Sequence, residues 1–237
     1  MEQDGGAWAA VADRRVLGVV GARGGVGAST LAALVAARGS RRTATVLVDL
    51  DEAAGGLDVL VGLEGTDGAR WPDLAQARGD VDGHDVVALL PRWGRVAVLS
   101  ADRARPGPVD REVRSDVLRA LTAVAGLVVL DLGRGAALAG GAAGCGGVAL
   151  LASRDLRSVA GAVALRGALT ATGADVGLVV RGPAPGGLGA AELAEAVGLP
   201  LLWAGRGDRR VGRAAEQGVL TGHGPAGAAA AAVLEAW

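Results

Sequence analysis

The residue types best suited to chemistry lie in one stretch, "GARGGVGAST" over residues 21–30. Gly21, Gly24, Gly25 and Gly27 leave the main-chain N–H groups between them unobstructed. Ser29 and Thr30 follow, with two hydroxyls where the next apolar run begins. Successive amides aimed into one concavity, next to a helix N-terminus, make a nest for phosphate oxygens. A loop of this type carries a lysine just before its hydroxyl residue. Here that position is Ala28, and the cation within the loop is Arg23. The sequence contains no lysine, so all 24 basic residues are arginine. Without a ligand, the same stretch reads as a tight strand–helix turn, with Ser29 and Thr30 as caps.

Such a loop needs a strand before it and a helix after it. Short apolar runs rich in Val and Leu recur at 16–20, 44–50, 96–99, 127–132, 148–152, 176–180 and 199–203. Runs this continuous fit strands buried on both faces of a parallel sheet. Helical patterns fall between most of them, at 29–38, 111–125, 156–170, 190–197 and 208–217. In 111–125, Val113, Val117, Leu118, Leu121 and Val124 share one helical face. The alternation predicts a doubly wound, mostly parallel α/β sheet with helices on both faces. Residues 62–95 are less regular, and 181–189 read as a long Gly/Pro loop. Ligands of open α/β sheets bind among loops at the carboxyl ends of the strands. The reading is a single P-loop-like domain over 15–237, with residues 1–14 as a flexible arm.

Composition supports this class and narrows the partners. Half of the 237 residues are hydrophobic, which excludes a disordered chain. A formal net charge of −1 argues against a generic basic nucleic-acid binder. Arg206, Arg209, Arg210 and Arg213 form a local basic group, expected to be a solvated helix face. Cys145 is the single cysteine and reads as a small apolar residue. His84 and His223 have no metal-ligand spacing. No secretory leader or membrane-length apolar run is visible, so a cytoplasmic protein is expected. The tail "PAGAAAAAVLEAW" lacks a basic face and reads as a packing helix.

Two nucleotide families share parts of the loop pattern. Gly21, Gly25 and Gly27 resemble the dinucleotide pattern of short-chain dehydrogenases, in which Asp49 would hold a ribose hydroxyl. That resemblance implies a catalytic Tyr and Lys, and the sequence has neither. The alternative is the ParA/MinD superfamily of deviant Walker ATPases, whose loop runs approximately x-K-G-G-x-G-K-[ST]-[ST]. "ARGGVGAST" keeps Gly24, Gly25, Gly27, Ser29 and Thr30, with Arg23 at the signature lysine and Ala28 at the general one. "TVLVDLDEAAGGLDVLVGL" (45–63) resembles the second strand and first switch, including Asp49, Asp51 and Leu57-Asp58. "LVVLDLGRG" (127–135) resembles the Walker B strand ending in Asp131, and "LLASRDLRSVAGA" (150–162) the next strand and helix. "VGLVVRG" (176–182) matches the strand before the base contacts, and "LPLLWAGRGDRRVGRAAEQGVL" (199–220) the closing segment. Absence of the general lysine is most similar to the CpaE/TadZ group, including actinobacterial septum-site-determining or CpaE-like proteins.

The resemblance implies a set of roles. ATP or ADP would bind with Mg²⁺, the phosphates resting on the amides of Gly24, Gly25, Val26, Gly27, Ala28 and Ser29. Thr30 would lie near the α-phosphate. Ser29 would ligate the metal, Asp131 would hold it through water, and Asp49 would be the neighbouring metal-side carboxylate. Asp51 would orient the attacking water. Arg23 would cross a two-fold interface to the partner's nucleotide, and Arg181 would stand at the usual base contact. Relatives of this group often carry an N-terminal receiver-like domain, for which residues 1–14 are too short. The implied output is a nucleotide-dependent homodimer with slow or absent hydrolysis. It would position a pilus, secretion or septum machine. A non-hydrolysing scaffold is the alternative.

Overall fold

The computed structural model describes residues 15–51 and 55–237, so the arm expected over 1–14 lies outside the described residues. The strands are β1 (Arg15–Gly21), β2 (Thr45–Asp49), β3 (Arg92–Trp93), β4 (Val96–Leu99), β5 (Leu127–Leu132), β6 (Gly147–Ser153), β7 (Asp175–Arg181) and β8 (Leu201–Gly205). They form one 8-stranded sheet in the order β3-β4-β2-β5-β1-β6-β7-β8. Among the described residues the β3–β4 pair is antiparallel and the others are parallel. The helices are α1 (Ala28–Gly39), α2 (Leu57–Leu60), α3 (Gly83–Leu89), α4 (Arg111–Val124), α5 (Arg134–Leu138), α6 (Leu156–Thr170), α7 (Ala190–Val197), α8 (Arg209–Ala215) and α9 (Gly224–Ala236). This is the doubly wound architecture that the alternating pattern predicts.

Strand alternation sorts the side chains into two cores. Val16 and Val20, Val46 and Val48, and Val128 and Leu130 share one core with Val113, Val117 and Leu121 of α4 and Leu165 and Leu169 of α6. Leu17 and Val19, Leu47, Val129 and Val179 turn to the other face, under Leu31, Leu34 and Val35 of α1 and Ala229, Ala230 and Val233 of α9. The C-terminal segment is therefore a packing helix, as its composition suggests. Among the described residues no helix is long and apolar enough to cross a membrane.

Continuing the alternation has a chemical consequence. Asp49 follows Leu47, Asp131 follows Val129 and Arg181 follows Val179, each two residues on. All three thus fall on the α1 face, at the carboxyl ends of β2, β5 and β7. Asp49 and Asp131 are also direct partners in the β2–β5 register.

The irregular stretch after β2 is organised by one buried arginine. Arg70 Nε donates to Asp58 Oδ2 at 3.1 Å, and its other nitrogens donate to the carbonyls of Gly68, Leu63 and Thr66. Ser100 Oγ completes the arrangement by accepting from the Asp58 amide. Asp58, of the Leu57-Asp58 pair that resembles a switch motif, is thus held by a buried ion pair. A 3₁₀ turn over Trp71–Leu74, helix α3 and the short β3 fill this stretch. β8 begins two residues later than the apolar run suggests. The chain leaves α7 at Gly198 in the left-handed region, and the Pro200 carbonyl accepts from the Leu178 amide before pairing begins.

Candidate functional site

β1 occupies the middle of the sheet, between β5 and β6, and its carboxyl end runs straight into the glycine loop. Gly25 and Gly27 have φ of 74° and 93°, a region where a side chain is strained. Gly27 caps α1, its carbonyl accepting from the Leu31 amide, and no side chain caps that helix end. Ser29 and Thr30 are therefore not caps, contrary to the ligand-free reading. The first-turn amides of α1 lack side-chain acceptors, and no acidic residue stands in that turn. That combination favours an anion. Val26 is buried and anchors the loop from below. α6 approaches so closely that a Cβ on Gly161 would fall on the Ala22 carbonyl.

Ser29 and Asp131 come together as expected. Burial pushes the Asp131 carboxyl up to about 7; Ser29 opposes this by hydrogen bonding, while Asp49 and Asp51 add like charge. A carboxyl so placed is relieved by a divalent cation. Asp49 is placed differently from an open metal ligand. Its Oδ1 accepts from the Asp51 amide at 3.0 Å, and its Oδ2 from the Leu57 and Ala101 amides at 3.0 and 3.3 Å. Burial still raises its pKa against those bonds. In addition, Trp71 Nε1 donates to the Asp49 carbonyl. Asp49 thus ties β2 to the segments after it. Asp51 lies against Gly133, where a Cβ would come within 2.9 Å of its carboxyl. It is therefore held beside the strand end that carries Asp131. Ser29, Asp131 and Asp51 thus gather at one edge of the loop.

Arg23 is folded back onto its own chain. Its Nη2 donates to Ser153 Oγ and to Asp155 Oδ2, each at 3.1 Å, and its Nη1 to the Gly24 carbonyl. The expected reach across an interface is not the conformation seen, because Asp155 offers a carboxylate within the chain. Asp155 also caps α6. The Ser153 hydroxyl, the Ser158 amide and Arg23 together hold its carboxyl below the usual range.

A cavity of about 940 Å³ opens beside the loop. Gly25, Gly27 and Thr30 line it together with Arg181, Pro183 and Trp203. Arg181 stands between β7 and the loop, with Nη1 only 3.2 Å from where a Cβ on Gly27 would lie. Its Nε is buried without a hydrogen-bond partner. Trp203 is a site residue that sequence reasoning missed. It is half-buried, and its ring covers the position a Cβ on Gly205 would take. A cavity lined by loop amides, arginines, aliphatic side chains and an indole suits a ligand with both a charged and an apolar part. Among the described residues no group of three or more His, Cys, Asp or Glu is placed to hold a metal ion. Cys145 is buried, and burial pushes its thiol up to about 12, consistent with an inert apolar role.

No family model matches the chain. Two curated relatives, uncharacterized proteins of Mycobacterium tuberculosis strains CDC 1551 / Oshkosh and H37Rv, are each 41% identical over 211 residues. The match covers 86% of this chain and 58% of theirs, so the chain spans less than two thirds of the length of the relatives it matches. Solved structures are similar in fold. The MinC:MinD cell division protein complex of Aquifex aeolicus aligns with a TM-score of 0.76 and 15% identity over 94% of this chain and 95% of that one. The septum site-determining protein MinD of Pyrococcus horikoshii, complexed with Mg-ADP, aligns at 0.70 with 17% identity over 94% and 95%. A putative plasmid partition protein of Borrelia burgdorferi bound to AMPPNP aligns at 0.71 with 13% identity over 94% and 97%. The chain therefore has the fold of the ParA/MinD P-loop ATPases.

Proposed function

We propose that this protein binds ATP and ADP with Mg²⁺ at the loop of residues 21–30, and that the bound nucleotide governs its self-association. One observation carries the reading. A glycine loop at the carboxyl end of the central strand opens onto a helix N-terminus that has no side-chain cap, with Ser29 and Asp131 side by side at its edge. Gly24, Gly25, Val26, Gly27, Ala28 and Ser29 supply amides to the phosphates, and Thr30 lies toward the α-phosphate. Ser29 and Asp131 hold Mg²⁺, which would neutralise phosphate charge when bound. Asp51 orients the attacking water. Asp49 shapes this edge from behind by fixing the amides of Asp51 and Leu57.

Hydrolysis is slow. The chain lacks a lysine at position 28, and loss of one such electrostatic contact slows chemistry roughly a hundred- to a thousandfold. The expected turnover is thus below about 0.1 per second, against roughly 10 per second for an ordinary enzyme. Turnover measured with and without Mg²⁺, alongside nucleotide binding by calorimetry, tests this. Turnover near the ordinary rate would show that Ala28 is no defect. The loss of the lysine and the intrachain hold on Arg23 also favour a second reading, a scaffold that binds nucleotide without turnover. In either form the similarity to the CpaE/TadZ group, and to the septum-determining fold, supports a role in positioning a pilus, secretion or division machine from the cytoplasm. Partners would be proteins of that machine rather than DNA.

A further inference from the structure

The loop has no lysine, yet a cation stands over it. We propose that Arg181, from the end of β7, is the phosphate-binding cation of this site: it supplies binding charge from the β7 side without restoring a cation at position 28, so the argument for slow hydrolysis stands. The inference rests on the nucleotide reading above and assigns the binding charge that this reading leaves open.

Three observations point to it. First, strand alternation puts Arg181 on the α1 face, and its Nη1 reaches to 3.2 Å from the Cβ position of Gly27. Gly27 immediately precedes Ala28. Second, among the described residues nothing accepts a hydrogen bond from the Arg181 side chain. Its Nε is buried and unpaired, and no ion pair joins it to a carboxylate among the described residues. A buried donor without a partner is costly, and an anion in the adjoining cavity would satisfy it. Third, the neighbouring arginines are engaged or turned outward. Arg23 is held by Asp155, Arg154 Nε donates to the Leu188 carbonyl, and Arg206 is exposed at the cavity rim.

The ligand chemistry follows from the group. A planar guanidinium binds two phosphate oxygens through parallel N–H donors, where an ammonium offers a single point charge. The class of ligand is a nucleoside di- or triphosphate, with its phosphates between Arg181 and the amides of α1. Because Arg181 approaches from β7 rather than from the loop, its contact joins the phosphates to the strand that leads to Pro183.

The test is calorimetric titration of the whole chain with ATP and ADP in Mg²⁺, for wild type, Arg181→Met, Arg181→Lys and the double variant Arg181→Met/Ala28→Lys. Thermal melting confirms that each variant is folded. Arg181→Met should weaken both nucleotides roughly 10- to 100-fold, the loss of one charge-assisted contact. Arg181→Lys should fall between, and the double variant should regain most of the loss. A base-side contact would not be restored by a lysine at position 28. Wild-type affinity in Arg181→Met, or a folded double variant that stays as weak as Arg181→Met, overturns the assignment. Failure of wild type to bind either nucleotide overturns the nucleotide reading itself, and this inference with it.

Discussion

At the scale of single residues, the loop and its hydroxyls were readable in the sequence because contiguous residues make them. Asp131 was readable because it ends an apolar strand. Arg181 and Trp203 were only partly so. Arg181 is some 150 residues from the loop in sequence, and β7 lies two strands from β1, about 10 Å at the usual spacing. Its guanidinium reaches Gly27 only because of the strand order and the face on which it emerges. The resemblance implies a base contact for it; in the structure its guanidinium lies beside Gly27. Gly25 offers a sharp test of the site at this scale. Nothing in the protein lies within 4 Å of a Cβ placed there. Valine at 25 therefore meets no neighbour, though it is strained by a φ of 74° at roughly 1–2 kcal/mol. Its side chain would instead fill the space of the phosphates. Gly25→Val should melt only a few degrees below wild type and show no measurable ATP binding by calorimetry. Unchanged affinity in that variant would remove the loop from the mechanism.

At the scale of elements, strongly periodic segments were legible and short ones were not. α6 and α7 fall where the pattern puts them, and α4 ends one residue before its expected end. α2, α3, α5 and β3 did not stand out, because none exceeds seven residues and their order comes from distant partners. Arg70 shows the cause: no local pattern reveals that it will be buried against Asp58. The cap of α6 is an element-scale device with a pH signature. Asp155 accepts from the Ser153 hydroxyl at 2.7 Å and the Ser158 amide at 2.9 Å, besides its pair with Arg23. Its folded carboxyl is held below the ordinary value of 3.8. In the acid range the unfolded chain therefore takes up this proton first. The stabilisation is complete above about pH 5 and is lost as pH falls through and below 4. Asp155→Asn keeps an acceptor but not the charge. The variant should be less stable than wild type at pH 7, by up to about 1 kcal/mol for a weakened cap. The gap between them should begin to narrow as the pH falls from 5 to 3. Thermal melts from pH 3 to 7 would show this, and a gap that is constant with pH would mean that the charge contributes nothing.

At the scale of the whole molecule, the question is whether nucleotide binding reaches a second copy of the chain. Arg23 decides it, because two acceptors compete for one guanidinium. Within the chain, Asp155 holds it at 3.1 Å, with the two side chains 37% and 23% exposed. A pair this open to water contributes roughly 0.2–1 kcal/mol. A partner's triphosphate, with more charge and bidentate geometry, can displace it at little cost. An interface built this way is isologous, so one released arginine acts twice, once from each subunit. ATP should then promote a dimer that ADP does not. Arg23→Ala should weaken that dimer much more than it weakens nucleotide binding by the monomer. Asp155→Asn loosens the intrachain hold, so its dimer should form at a lower protein concentration than that of wild type. The two substitutions act in opposite directions only if Arg23 moves between acceptors. If Arg23 merely braces the start of α6, both variants lose stability and neither changes association. Sedimentation of the three proteins with ATP, with ADP and without nucleotide separates these cases. A wild-type protein that stays monomeric with ATP would sink the exchange, and a dimer indifferent to nucleotide would favour the scaffold over the switch.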